Sequence, residues 1–199
     1  MPENPWLRSA VVQQPAAVTA PADAGASSGK VTAPQVGVSV PDLADRLPLR
    51  NTGRQATIWW LGVTGGAGES TLAGLARGSR AASHAWPVPD ERGAVARVAL
   101  VARTNYSGLS SAQRAAIEWA SGVLGETVRV EGLVLIPDAP GRLPRELRHL
   151  AEVVSGGVPR TWTLPWVDAW RFGPVDPAVE LPAAFHALLA DLHLNTITA

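Results

Sequence analysis

The sequence predicts an α/β domain: a parallel sheet of about four core strands with helices on both faces, preceded by a disordered tail. Three observations predict it. Short strand-like runs, mostly apolar, at residues 57–63, 98–102, 132–136 and 161–164 alternate with segments of helical period, the signature of a parallel sheet buried on both sides. A glycine-rich turn, Thr64-Gly65-Gly66-Ala67-Gly68, joins the first run to the first helix. Hydrophobic residues make up 46% of the 199, enough for a substantial core.

Composition narrows the chemistry. Seventeen basic residues balance seventeen acidic ones, so the chain carries no broad electrostatic footprint for nucleic acid or an anionic membrane. The absence of cysteine excludes disulfides, thiol catalysis and thiolate metal sites, and suits the reducing cytoplasm, where the chain is expected to reside. No stretch has the length of a membrane span, and the N-terminus shows no apolar signal core. Lys30 is the only lysine, so no residue after it offers a lysine to a phosphate.

Residues 1–35, rich in Ala, Pro, Gln, Ser and Gly, read as the disordered tail. Trp6 within it is either a partner-binding anchor or an incidental aromatic. Residues 36–56 read as a linker in which Val36–Val40 alternates as a possible edge strand. The domain proper spans 57–199. In its first strand, Trp59 and Trp60 point to opposite faces. A helix over about 70–80 follows, with Leu72, Leu75 and Ala76 inward, and then a Pro-rich loop over 81–97. The strand at 98–102 leads to a helix whose inner face carries Leu109, Ala112, Ala116, Trp119, Ala120 and Val123, with Ser110 or Ser111 as its cap. The third strand ends in Pro137-Asp138. The next helix carries Leu143, Leu147, Leu150, Ala151 and Val154, with Pro144 near its first position and Gly156-Gly157 at its end. The fourth strand runs into Pro165-Trp166, and a last helix presents Leu181, Phe185, Leu188, Leu189 and Leu192.

The strand–glycine turn–helix layout is that of a loop whose amides converge on a phosphate at a helix N-terminus. Thr64 to Thr71 resembles the deviant phosphate loop of the ParA and MinD family of P-loop ATPases, whose pattern is Lys-Gly-Gly-x-Gly-Lys-Ser/Thr-Thr. Gly65, Gly66, Gly68, Ser70 and Thr71 match it; Thr64 and Glu69 stand where that family has its two lysines. Downstream, Val98–Arg103 is similar to that family's Val-Leu-Val-Thr strand. Leu133–Asp138 resembles the strand before its base-recognition turn, and Leu164-Pro165-Trp166 the turn over its adenine. The resemblance implies a truncated, three-layer P-loop NTPase-like sheet. Residues 81–97 replace two strands, the Walker B aspartate and both switch regions of that family. The strand at 57–63 is therefore expected at a sheet edge, covered by Val36–Val40 or by a partner chain, with the remaining strands in chain order.

Glu69 changes the chemistry implied. A lysine there would neutralise the β- and γ-phosphates, whereas two like unit charges about 4 Å apart repel by roughly 4 kcal/mol at an effective dielectric near 20. Alternatively, Glu69 complements the dipole of its helix, or folds back into the amide nest in place of a phosphate. The leading expectation is a non-catalytic domain with no cofactor, no catalytic residues and no metal ligands, acting with a protein partner. The alternative is a nucleotide-binding protein or weak ATPase, using ATP with Mg, in which Arg103 or a partner's residue replaces the lysine. The candidate cofactor-binding residues are Gly65, Gly66, Gly68, Glu69, Ser70, Thr71, Arg103, Asp138, Pro165 and Trp166. His84, His149, His186 and His193 form no metal-ligand spacing. A partner-binding aromatic patch near Trp166 and Trp170 stands against their reading as core anchors.

Overall fold

The structure, a computed structural model, describes residues 30–172 and 180–197. Most of the tail, including Trp6, lies outside them. The described elements run β1 (Leu49–Thr52), β2 (Trp59–Gly62), α1 (Glu69–Leu75), β3 (Arg80–Ala81), β4 (Trp86–Pro89), β5 (Ala96–Arg103), α2 (Tyr106–Ala120), β6 (Val128–Ile136), α3 (Arg145–Gly156), β7 (Thr161–Thr163) and α4 (Ala183–Asp191). Five strands form one parallel sheet in the order β3-β2-β5-β6-β7, and β1 and β4 form a separate parallel pair.

The central strands are apolar over 98–102 and 132–136 because both faces are covered there. Trp59, Leu61, Val98, Leu100, Leu133 and Leu135 face α2 and α3, together with the fully buried Trp86 of β4. Ile58, Trp60, Ala99, Val101 and Val134 face α1 and α4. The two adjacent tryptophans thus anchor opposite layers, as the period of two requires. Between β5 and β6 the register slips: Val98 pairs Val130 but Ala99 pairs Gly132, leaving Glu131 bulged. Its carboxylate holds Arg97 at 2.7 Å and Arg129 at 2.8 Å. At the β7 edge, the Trp162 indole N–H donates to Asp191 of α4 at 2.9 Å, and Arg160 pairs with the same carboxylate at 2.9 Å.

Several expectations need correcting. The sheet has five strands rather than about four, and β2 is not its edge, because Arg80–Ala81 pairs alongside it. The four foreseen strands do lie in chain order. Val36–Val40 is not a strand: its neighbourhood docks on helix ends, with Gln35 N–H donating to Ala120 and Val31 N–H to Gly156. Residues 30–35, assigned to the tail, are part of that docked segment. The span 81–97 is not all loop. It carries β4, whose Trp86 N–H donates to Pro48 at 2.8 Å, while Pro87 and Pro89 alternate onto the side that needs no donor. Helix α1 ends at Leu75 instead of about residue 80, because Ala76 and Arg77 turn to meet the C-terminal segment: Arg77 N–H donates to Asn195, and Ile197 N–H to Leu75. The cap of α2 is Asn105, whose Oδ1 accepts from Gly108 N–H at 2.8 Å, in place of Ser110 or Ser111. Val123 lies past the helix end and is exposed.

Glu118, inside α2 and only 2% exposed, accepts from Leu47 N–H at 3.1 Å and so pins the 30–48 segment across the helices. Glu118→Ala strands that donor, at a cost of about 1–3 kcal/mol; denaturant unfolding and faster hydrogen exchange at Leu47 measure it. Burial raises the pKa of Glu131, but hydrogen bonds from Arg97 and Arg129, with their charges, outweigh it and hold the carboxyl below its ordinary value. Since the folded pKa lies below the unfolded one, its stabilisation is complete above about pH 4.3 and fades as pH falls through the folded value. Glu131→Gln should therefore unfold at lower denaturant than wild type at pH 7, with the gap closing in acid.

Candidate functional site

In open parallel sheets, ligands settle at the carboxyl ends of strands where successive connections leave in opposite directions. Here that point lies between β2 and β5: β2 connects through α1 to β3 on one side, and β5 lies on the other. The loops after β2 and β5 flank it, so the glycine-rich turn occupies the sheet's natural crevice.

Gly68 forms the N-cap of α1 with φ 107°, a left-handed conformation that glycine adopts without strain. A Cβ there would lie 2.7 Å from Ile136 Cδ1. Gly65, Gly66 and Ser70 are exposed. Glu69, the first residue of α1, is only 7% exposed and turns away from the crevice. Its Oε2 accepts from Gly62 N–H at 2.9 Å, and its Oε1 lies 3.7 Å from His84 Nε2. The carboxylate is therefore not seated among the amides of residues 65–68, as folding back into the nest would require; it bonds the end of the preceding strand.

The local ladder explains this contact. Arg80 N–H donates to Ile58 and Ala82 N–H to Trp60, so β3 serves alternate residues of β2. Gly62 is the next position on that side, beyond the reach of the two-residue β3. Glu69 supplies the missing acceptor. His84 supplies the missing donor, its Nδ1 lying 2.7 Å from the Gly62 carbonyl oxygen. That oxygen only accepts, so Nδ1 carries the proton. Ser83 and His84 reach this position with φ of 55° and 57°, left-handed values that non-glycine residues seldom adopt. Gly62 is favoured by proximity: a Cβ would crowd the His84 ring and Ala67 Cβ at 3.2 Å, and both would have to give way.

Arg103, at the end of β5, also serves backbone. Its Nε donates to Gly66 O at 3.1 Å and its Nη1 to Pro137 O at 2.8 Å, tying the glycine turn to the end of β6. Five of the ten candidate residues, Gly68, Thr71, Arg103, Pro165 and Trp166, line one cleft of about 220 Å³, with Ile136, Trp170 and Phe185. Trp170 packs edge-on against Phe185, centroids 4.9 Å apart. Asp138 lies in an adjoining cleft of about 490 Å³ with Pro165 and Trp166, and its Oδ1 accepts from the Asn105 amide at 3.0 Å. Gly65, Gly66, Glu69 and Ser70 line neither cleft. Sequence reasoning missed His84, because the backbone turn after β3, rather than any spacing motif, brings it to Gly62. His149 is exposed beside Glu152, and His186 and His193 are exposed.

Residues 56–184, well over half of the chain, match the model of a family of unknown function, DUF6668, and the chain belongs to that family. No curated protein and no solved structure matches it.

Glu69→Ala should cost about 1–3 kcal/mol by leaving the buried Gly62 N–H without an acceptor. Glu69→Gln, which keeps an acceptor oxygen, should lose less. Thermal melts of both variants test this ordering.

Proposed function

We propose that this DUF6668 member is a non-catalytic, ParA/MinD-like P-loop domain that serves as an interaction or regulatory component of a protein assembly. One observation carries the reading: Glu69, at the position of the phosphate-gripping lysine, is buried and bonded to Gly62 N–H. A side chain committed to holding a strand end is not free to act on a ligand. Its negative charge also opposes a triphosphate.

The alternative, a nucleotide-binding protein or weak ATPase using ATP with Mg, draws on Arg103 beside the turn. Two of its nitrogens already serve the carbonyls of Gly66 and Pro137. The cleft it shares with Gly68 and Thr71, at about 220 Å³, falls below the roughly 300 Å³ at which small-molecule sites begin. Helix α1 has only seven residues, so its dipole is short. The buried carboxylate of Glu69 and the committed guanidinium of Arg103 both disfavour a triphosphate at the turn. A domain retained without nucleotide chemistry leaves its surfaces as the working parts.

Calorimetry with ATP and magnesium tests the reading. No heat of binding is expected for the wild type up to about 1 mM, an affinity threshold near −4 kcal/mol. Micromolar binding abolished by Gly68→Val would overturn it.

A further inference from the structure

The two-stranded pair and the β3 end of the five-stranded sheet leave unpaired strand edges beside one groove. In β1, Pro48 O accepts from Trp86 N–H, and the register pairs Leu49 with Trp86 through Thr52 with Pro89. Alternation then directs the backbone groups of Arg50 and Thr52 at β4, and those of Leu49 and Asn51 outward. In β3, the N–H groups of Arg80 and Ala82 are directed at β2, so those of Ala81 face the opposite way. Both strands have a partner on one side only among the described residues. Residues 50–54 and 79–83 line a single groove of about 600 Å³ whose floor includes Trp59.

The groove is also cationic. Arg50, Arg54 and Arg80 line it, and no carboxylate does. Asp90 and Glu91 lie in the neighbouring cleft at the amino end of the sheet, where Gln55 holds Glu91 at 2.9 Å. Among the described residues, none of the three arginines is in an ion pair. The Asp90 carboxylate approaches the groove only at its Gly53 end, so in a chain of zero net charge the three arginines remain a local excess.

We propose that the groove between β1 and β3 binds an extended acidic segment of a partner protein. Unpaired strand edges recognise a peptide backbone, because its N–H and C=O groups complete the ladder. Arg80 Nε already donates to Gln55 O at 3.3 Å, so the exposed Arg50 and Arg54 are the ones that select carboxylates on that segment and steer its approach. Backbone pairing favours a peptide over a nucleic acid, whose phosphates would use the arginines but leave the strand edges unmatched. The inference concerns a different surface from the glycine turn and holds whether or not that turn takes a nucleotide.

The test is fluorescence anisotropy with the full chain, without nucleotide, using as probe a short labelled peptide of alternating Glu and Thr. The comparison probes are its Lys/Thr counterpart, a version N-methylated at alternate residues, and an oligothymidylate of equal length. The acidic peptide should bind at least about tenfold tighter than the Lys peptide. Arg50→Glu with Arg54→Glu, both at exposed positions, should weaken it by a similar factor with an unchanged melting profile. Arg142→Glu, away from the groove, should not. N-methylation should weaken binding to the wild type equally, which decides the matter even if the double variant fails to fold. Absent binding of the acidic peptide, indifference to its charge or to N-methylation, or tighter binding of the oligothymidylate would each overturn the proposal.

Discussion

The carboxylate of Glu69 on the amide of Gly62 is the contact around which this end of the sheet is arranged. A parallel strand must find partners for its N–H and C=O groups on both sides, and a buried one has no water to fall back on. β5 serves one side of β2 along its whole length, but β3 on the other is two residues long. The shortage falls on Gly62, which is buried. Two side chains make it good, one acceptor from the following helix and one donor from beyond β3. The sequence features around them follow: no Cβ at Gly62, a buried acid at the start of α1, and a left-handed backbone at Ser83 and His84 to deliver the imidazole.

The shortness of the segment between α1 and β5 also shapes the outer layers. Residues 76–95 cannot hold a further strand–helix unit, so they return along the sheet as β3 and β4, and the cover a helix would have provided comes from Trp86, buried against the α2–α3 face. β4 in turn recruits β1 from upstream, and the chain before β1 is held across the helices by Glu118. Four devices thus close this side of the domain: a two-residue strand, a buried indole, a two-stranded ribbon and a buried glutamate. The ribbon's two edges are not equivalent. Proline removes donors on the outer side of β4, whereas the outer side of β1 keeps its own.

How much of this was legible in the sequence depended on whether the signal was local. The runs at 57–63, 98–102 and 132–136 mark the cores of three strands, though β5 and β6 extend beyond them through Arg97 and Arg129, and the helical periods of α2, α3 and α4 are regular. Trp59 and Trp60 had to separate onto opposite faces because adjacent strand residues do. What escaped were elements decided by distant partners. Arg80–Ala81 becomes a strand only because β2 offers an edge, and Trp86-Pro87-Val88-Pro89 reads as loop until its alternating donors meet β1. Val36–Val40 shows the converse: a correct strand alternation is overridden because the preceding backbone finds acceptors at the helix ends. In the site, the strand–turn–helix layout was legible, and Gly68 and Thr71 share a cleft with Arg103, Pro165 and Trp166, whereas Gly65, Gly66, Glu69 and Ser70 line neither cleft. The direction of the Glu69 side chain was not, since it depends on how far β3 extends.

A glycine-rich turn after a strand invites the inference that its glycines exist for a phosphate. Two of them here have other reasons to be glycine. Gly62 is pressed by the His84 ring and Ala67, and Gly68 combines a left-handed φ with the nearby end of Ile136. Packing at Gly62 and the left-handed φ at Gly68 therefore favour glycine at these two positions, with or without a ligand. The residue that discriminates is the one whose chemistry packing does not dictate. At the first position of α1, a lysine offers no acceptor, whereas a glutamate accepts the hydrogen bond that the strand end lacks. A lysine placed there without another acceptor for Gly62 would leave that buried N–H unpaired and loosen the end of the sheet. In this chain the chemistry of the side chain at position 69 serves the fold.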